Sequence, residues 1–325
     1  MEVTIWFWIV FNIVVVALLL VDLLVFQRDA HAISLKEAGL WSAFWIFLSL
    51  VFCGGIYVYA GQVPALEWLT AYVVEKSLSV DNIFVFVVIF QFFNVSPAYQ
   101  HRVLFWGILG ALIMRAIFIL VGVSAVERFP WVIYLFGAFL IYTGIRMALQ
   151  RDDEHIDLEN NWMLRMVHRF LPMTSDYRGA NFFVRENGKL FATPLLMVLI
   201  LVEGIDLIFA VDSIPAVIAV TQDRFLAYTS NVGAILGLRA LYFLLAGVVD
   251  KFHYLQLGLA IILTFVGAKM LTEPLFHFHV PVTFSLIFIL AVLTLSIVGS
   301  LMFPARETHS EAHPEPRKEL SPASE

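Results

Sequence analysis

Between Val202 and Val217 the chain reads VEGIDLIFAVDSIPAV, which sets Glu203, Asp206 and Asp212 inside an apolar run long enough to cross a membrane. A charge at bilayer depth costs about 3 kcal/mol even on mild insertion scales, so such acids mark a pathway, a buried partner or both. A second stretch, VEKSLSVDNIF from Val74 to Phe84, repeats the pattern: Glu75 and Asp81 stand six residues apart, as do Asp206 and Asp212. Val-Asp-Asn-Ile and Val-Asp-Ser-Ile are one motif used twice.

Runs of this kind fall near residues 5–26, 41–60, 66–93, 103–123, 130–149, 194–221, 226–249, 253–272 and 281–303. Each is continuous and near the helix-spanning length of about 20 residues, whereas barrel strands would be shorter and alternating. With 61% hydrophobic and 14% charged residues, the chain is too apolar for a soluble domain. The expected fold is therefore an all-α integral membrane protein of about nine transmembrane helices. The first run lacks a basic leader and a cleavage site and is read as a retained span. Lys and Arg in the connections place the N-terminus outside and the C-terminus in the cytoplasm. Lone Cys53 excludes multi-cysteine metal and redox motifs, and the net charge of −6 without basic clusters argues against nucleic acid.

The repeat extends beyond the acidic helices. Gly110-Ala-Leu-Ile-Met-Arg115 matches Gly233-Ala-Ile-Leu-Gly-Leu-Arg239 with one residue inserted, and Thr143-Gly144-Ile145-Arg146-Met147 matches Val266-Gly267-Ala268-Lys269-Met270. Each unit is three spans long, so the second enters the membrane upside down, the inverted-repeat plan of many secondary transporters. The expected organisation is an N-terminal two-helix segment (1–65), a first repeat (66–149), a cytoplasmic loop (150–192), an inverted second repeat (193–273), a last helix (274–303) and a disordered tail (304–325). Within the loop, Met163, Met166, Val167 and Phe170 predict an amphipathic surface helix, and Asn187-Gly188 a hairpin turn. Asp152, Asp153, Glu154 and His155 read as a solvated linker, with a metal sensor as the alternative. Trp6, Trp8, Trp131 and Trp162 suit interfacial anchors, and glycines 107, 110, 122, 137 and 144 suit close helix packing.

Six residues along a helix turn through about 600°, so one intact helix cannot bring Glu75 and Asp81 together. Either a break or the other repeat must complete a shared site. Pro215 offers a break, because it frees the carbonyl of Val211 beside Asp212. The expected site joins Asp81 and Asn82 to Asp212 and Ser213, closed by Glu75 and Asp206. Its all-oxygen ligands favour a hard divalent ion such as Mn²⁺, Mg²⁺ or Ca²⁺. Counting Glu203 with the other four acids against Lys76, Arg115 and Arg239 leaves −2, which a divalent ion would balance. The competing view is that the acids pair with Lys76, Arg115 and Arg239 only to lock the helices. Arg115 and Arg239 are expected to orient the acids rather than touch substrate, and Asn231 to be either a helix-start group or a site residue.

VEKSLSVDNIFVF, IFAVDSIPAVIAVT and TSNVGAILGLRALYFLLAG resemble the signature segments of the TerC family, and the whole chain, with its N-terminal span, looks most like the Alx-type branch. The resemblance covers roughly residues 5–303 and is specific because the segments are long. It implies a bacterial inner-membrane protein associated with Mn²⁺ export, alkaline response and, in some members, tellurium resistance. The family's intramembrane acids fall on Glu75, Asp81, Glu203, Asp206 and Asp212; members commonly carry a hydroxyl where Ile205 stands. The function expected is thus a secondary transporter, not an enzyme, exporting Mn²⁺ with protons as a possible counter-ion and no permanently bound cofactor. Export of an organic solute, a scaffold for stress-resistance proteins and an intramembrane aspartyl hydrolase are the alternatives. The hydrolase is disfavoured because Gly-x-Gly-Asp is absent.

Overall fold

In a bilayer every backbone N–H and C=O must be satisfied within the protein, which leaves a helical bundle as the solution for long apolar runs. The computed structural model describes residues 3–26, 34–149, 172–186, 188–247, 253–276 and 280–303. Its helices are α1 (Ile5–Phe26), α2 (Leu35–Ala60), α3 (Gln62–Phe92), α4 (Pro97–Arg128), α5 (Val132–Leu149), α6 (Pro194–Val220), α7 (Arg224–Leu236), α8 (Leu238–Leu245), α9 (His253–Phe276) and α10 (Val282–Met302). Six of them, α2, α4, α5, α6, α9 and α10, are long and apolar enough to cross a membrane by length and composition alone. α3 has the length at 31 residues but carries Glu67, Glu75, Lys76 and Asp81. The run at 226–249, expected as one span, is divided at Gly237 into α7 and α8.

Sequence-encoded caps fix the ends. Ser34 accepts from the N–H of Glu37, and Asp223 accepts from those of Phe225 and Leu226 at 2.9 and 3.0 Å. Pro97 and Pro194 occupy first-turn positions, where a missing N–H costs nothing. Gly61, at φ 93°, turns α2 directly into α3.

At the centre α3 packs on α6 and α7, and α4 packs on the same two helices. α5 lies along α9, and α2 covers α3 and α8. The glycines make these approaches possible. A Cβ on Gly144 would stand 2.7 Å from the carbonyl of Ala260, and one on Gly267 would stand 2.7 Å from that of Gly137, so α5 and α9 touch backbone to backbone. Gly122 likewise receives Ile214 and Ile218 of α6.

That contact bears on Pro215. The break expected there is not found: α6 runs unbroken from Pro194 to Val220 with Pro215 buried. Ile214 and Ile218, on either side of the proline, are clamped against α4 at Gly122, and neighbouring helices commonly hold a proline-containing span straight. The interruption falls instead at Gly237, the position of the one-residue insertion in the second copy of the Gly-to-Arg motif.

The hairpin expected around Asn187-Gly188 is present as β1 (Phe183–Glu186) and β2 (Lys189–Ala192), paired antiparallel with Phe183 opposite Ala192. Gly188 takes φ 78°, as the turn requires. This segment docks on the bundle: Tyr177 donates its hydroxyl to the carbonyl of Phe93 at 2.8 Å, and Arg102 lies over the ring of Phe182. The amphipathic helix expected near 163–170, the acidic run 152–155, Trp162 and the tail 304–325 lie outside the described residues. Trp6 and Trp131 are exposed, as interfacial anchors would be, whereas Trp8 stacks on Tyr228 of α7.

Candidate functional site

Serine and threonine within these helices mostly satisfy themselves. Ser77 and Ser79 donate to the carbonyls of Val73 and Glu75, four residues back. The charged groups must therefore find one another, and α4 supplies the link.

Arg115, 3% exposed, forms an ion pair with Glu75 of α3 and donates to Asp206 of α6 at 3.2 Å. Its other terminal nitrogen reaches the hydroxyl of Ser213 at 3.3 Å. Asn82 of α3 donates to the same Asp206 oxygen at 3.3 Å. Glu75 and Asp206 are 0% and 4% exposed, so this guanidinium holds two carboxylates that water does not reach. Three helices are tied at one point.

Asp81 and Asp212 belong to a second cluster. Their charges are close enough to interact, and Asp212 accepts from Thr143 of α5 at 3.1 Å with the charge of Arg146 nearby. Among the described residues no ion pair involves either one. The six residues expected to share one shell thus separate: Glu75, Asn82, Asp206 and Ser213 gather around Arg115, while Asp212 accepts from Thr143 and lies within charge range of Asp81. Among the described residues no three His, Cys, Asp or Glu side chains are grouped to hold a metal ion.

Glu203 lies over Gly110, where its carboxylate occupies the space a side chain would need. It lines a cavity of about 10 Å³ with Asp206, Arg239, Phe86 and Leu238, room for a single water. Arg239 is thus carried by α8 to the acidic centre. Lys76, which the competing view pairs with an acid, is placed otherwise. Its ammonium donates to the backbone carbonyl of Ala234 at 3.0 Å, because the interrupted helix presents an acceptor there. Thr143 was not among the expected site residues, although it directly precedes the repeated Gly144. Asn231 is fully buried, and its side chain makes no hydrogen bond among the described residues.

Residues 60–308, from the start of α3 through the last helix, match the integral membrane protein TerC family. The chain belongs to this family. It is a multi-pass membrane protein, and its relatives are bacterial. An uncharacterized membrane protein of Myxococcus xanthus is 50% identical over 94% of this chain and 95% of its own length. The Alx proteins of Salmonella typhi and Escherichia coli K12, named as candidate membrane-bound redox modulators, are 47% and 46% identical. These matches cover 90% and 89% of this chain, and 92% and 93% of theirs. No solved structure matches the chain.

Proposed function

We propose that this TerC-family protein is a secondary transporter that exports a divalent cation, Mn²⁺ first among the candidates, across the bacterial inner membrane. The observation that carries the reading is that Asp212 accepts from Thr143 at 3.1 Å with Asp81, its counterpart in the other copy of the repeated motif, within charge range, both outside the guanidinium clamp that neutralises their neighbours. Two carboxylates and a hydroxyl give a small hard-oxygen site, and ions of this class commonly keep several waters. So weak a cage suits a cargo that must leave.

On this reading nine spans come from the apolar runs, and an N-terminus outside and a C-terminus in the cytoplasm from Lys and Arg in the connections; the packing pattern supports an inverted repeat of three spans among them. Under an offset of 131 residues Glu75 corresponds to Asp206 and Asn82 to Ser213. Asn82 bonds Asp206, and Ser213 shares Arg115 with Glu75. α3 lies on α7 as α4 lies on α6, which is the reciprocity that a two-fold axis in the membrane plane demands. The cation would enter from the cytoplasm, bind between the repeats and leave as one rocks against the other, with protons returning through a carboxylate. The name of the Alx relatives speaks of redox modulation, and export of a redox-active metal is one route to such an effect.

The test is the metal content, by mass spectrometry, of manganese-stressed cells expressing wild type, Asp81→Asn or Asp212→Asn at equal membrane abundance. Lower manganese with wild type alone is the expected result. If all three leave manganese unchanged, the export reading fails, and organic-solute flux or recruitment of partners by the 150–192 loop takes its place.

A further inference from the structure

An interruption within the membrane leaves helix-end carbonyls without their usual donors, and the C-terminal end of a helix carries partial negative charge. Such an end needs a cation or a donor. At Gly237 (φ −90°, ψ 4°) the chain leaves α7, and in an unbroken helix the carbonyl of Ala234 would accept from the N–H four residues on, that of Leu238. Lys76 of α3 reaches this carbonyl at 3.0 Å. The space is made for it: a Cβ on Gly237 would stand 3.0 Å from the Lys76 nitrogen and 3.0 Å from Cβ of Trp45.

Beyond the interruption, α8 is a half-helix of 8 residues that brings Arg239 to the cavity shared with Glu203 and Asp206. Its far end is tied to the start of α4. Tyr242 donates to Gln100 at 3.0 Å, and the ring of Phe243 stacks on His101. Leu244 meets α2 at Gly39, 3.9 Å from where a Cβ would be. The near end has Lys76.

We infer that Lys76 is a positioning residue, whose ammonium caps the end of α7 and thereby fixes α8, the element that delivers Arg239 to the acidic centre. Lys76 stands one residue after Glu75, so the turn of α3 that anchors the arginine clamp also holds the half-helix. The two would move together. The cap is a property of the fold, and only its consequence for cargo rests on the transport reading.

The experiment uses the full chain with Cys53→Ser, in which Gly39→Cys and Leu244→Cys form the only cysteine pair, and measures the rate of oxidative cross-linking in native membranes. Adding Lys76→Met removes both charge and donor; the rate is expected to change several-fold as α8 leaves its seat. Adding Lys76→Gln, which retains a donor for the Ala234 carbonyl, is expected to recover part of that change. An unaltered rate in Lys76→Met overturns the inference, as does an equal change in both variants. Should Lys76→Met fail to accumulate, Gly237→Ala replaces it, because the added methyl displaces the ammonium, and an unaltered rate there is equally fatal. Cellular manganese measured in the same strains separates the two claims: a changed cross-link with no manganese phenotype in any strain leaves the cap standing and removes export.

Discussion

Arg115 on α4 donates to Asp206 on α6 at 3.2 Å while pairing with Glu75 on α3, so one guanidinium stands between two buried acids. Removing it would leave Glu75 and Asp206 in an apolar interior without the cation that pairs with both. Breaking a buried pair in this way costs about 3–5 kcal/mol. Arg115→Leu should therefore lose membrane abundance and thermal stability in detergent. Adding Glu75→Gln and Asp206→Asn should restore part of the stability, because neutral amides do not need the guanidinium. A full-strength Arg115→Leu protein would contradict the clamp.

Asp81 and Asp212 are the opposite case. Their charges interact, and no ion pair among the described residues involves either; Arg146, near Asp212, is exposed and keeps its hydration, so neutralising one acid relieves repulsion without burying an unpaired base. Asp81→Asn and Asp212→Asn should melt at or above the wild-type temperature and still fail to lower cellular manganese. Thr143→Val, which removes the hydroxyl donated to Asp212 at 3.1 Å, should weaken export less than either. A stability loss that tracks the export loss would assign these acids to structure instead.

How much of this was legible in the sequence depends on whether the partner was a side chain. The duplicated Val-Asp motif located both clusters, and the reading of Arg115 as an orienting base followed from the repulsion that an exposed guanidinium would exert on a cation path. The division into two clusters did not follow. Charge counting treats five acids and three bases as one pool, whereas geometry gives Arg115 to Glu75 and Asp206 only. The place of Lys76 was illegible for a related reason: its partner is a backbone carbonyl, exposed as an acceptor by the interruption at Gly237. The signal was present as the residue inserted between Gly233 and Arg239, where the first copy runs from Gly110 to Arg115 without it. Pro215 looked the better breaker, but packing at Gly122 keeps its helix whole.

Two glycines should respond differently to the same methyl group. A Cβ on Gly144 would meet backbone atoms of α9, the carbonyl of Ala260 at 2.7 Å and the N–H nitrogen of Thr264 at 2.9 Å, and backbone cannot step aside. Overpacking of that kind costs about 1–3 kcal/mol. On Gly110 the methyl would meet only the carboxylate end of Glu203, which can rotate away. Gly144→Ala should thus lower the melting temperature markedly, and Gly110→Ala should leave it nearly unchanged while altering export through the displaced Glu203. Equal melting temperatures would argue against the close α5–α9 contact.

The docked segment offers a test with a pH signature. Tyr177 donates to the carbonyl of Phe93 at 2.8 Å, and burial raises the ionisation of its hydroxyl above the ordinary 10.0. A phenol whose folded value is raised contributes stability that is fully present below the unfolded value and is lost as pH rises through the folded one. Protection of the 172–193 backbone against hydrogen exchange, corrected for the intrinsic pH dependence, should therefore hold at neutral and mildly alkaline pH and fall only above about 10. Tyr177→Phe removes the donor, worth about 1 kcal/mol, so protection should drop a few-fold at neutral pH and lose its alkaline step. If the variant keeps that step, another group anchors the segment to α3, and the hydroxyl at Phe93 is incidental.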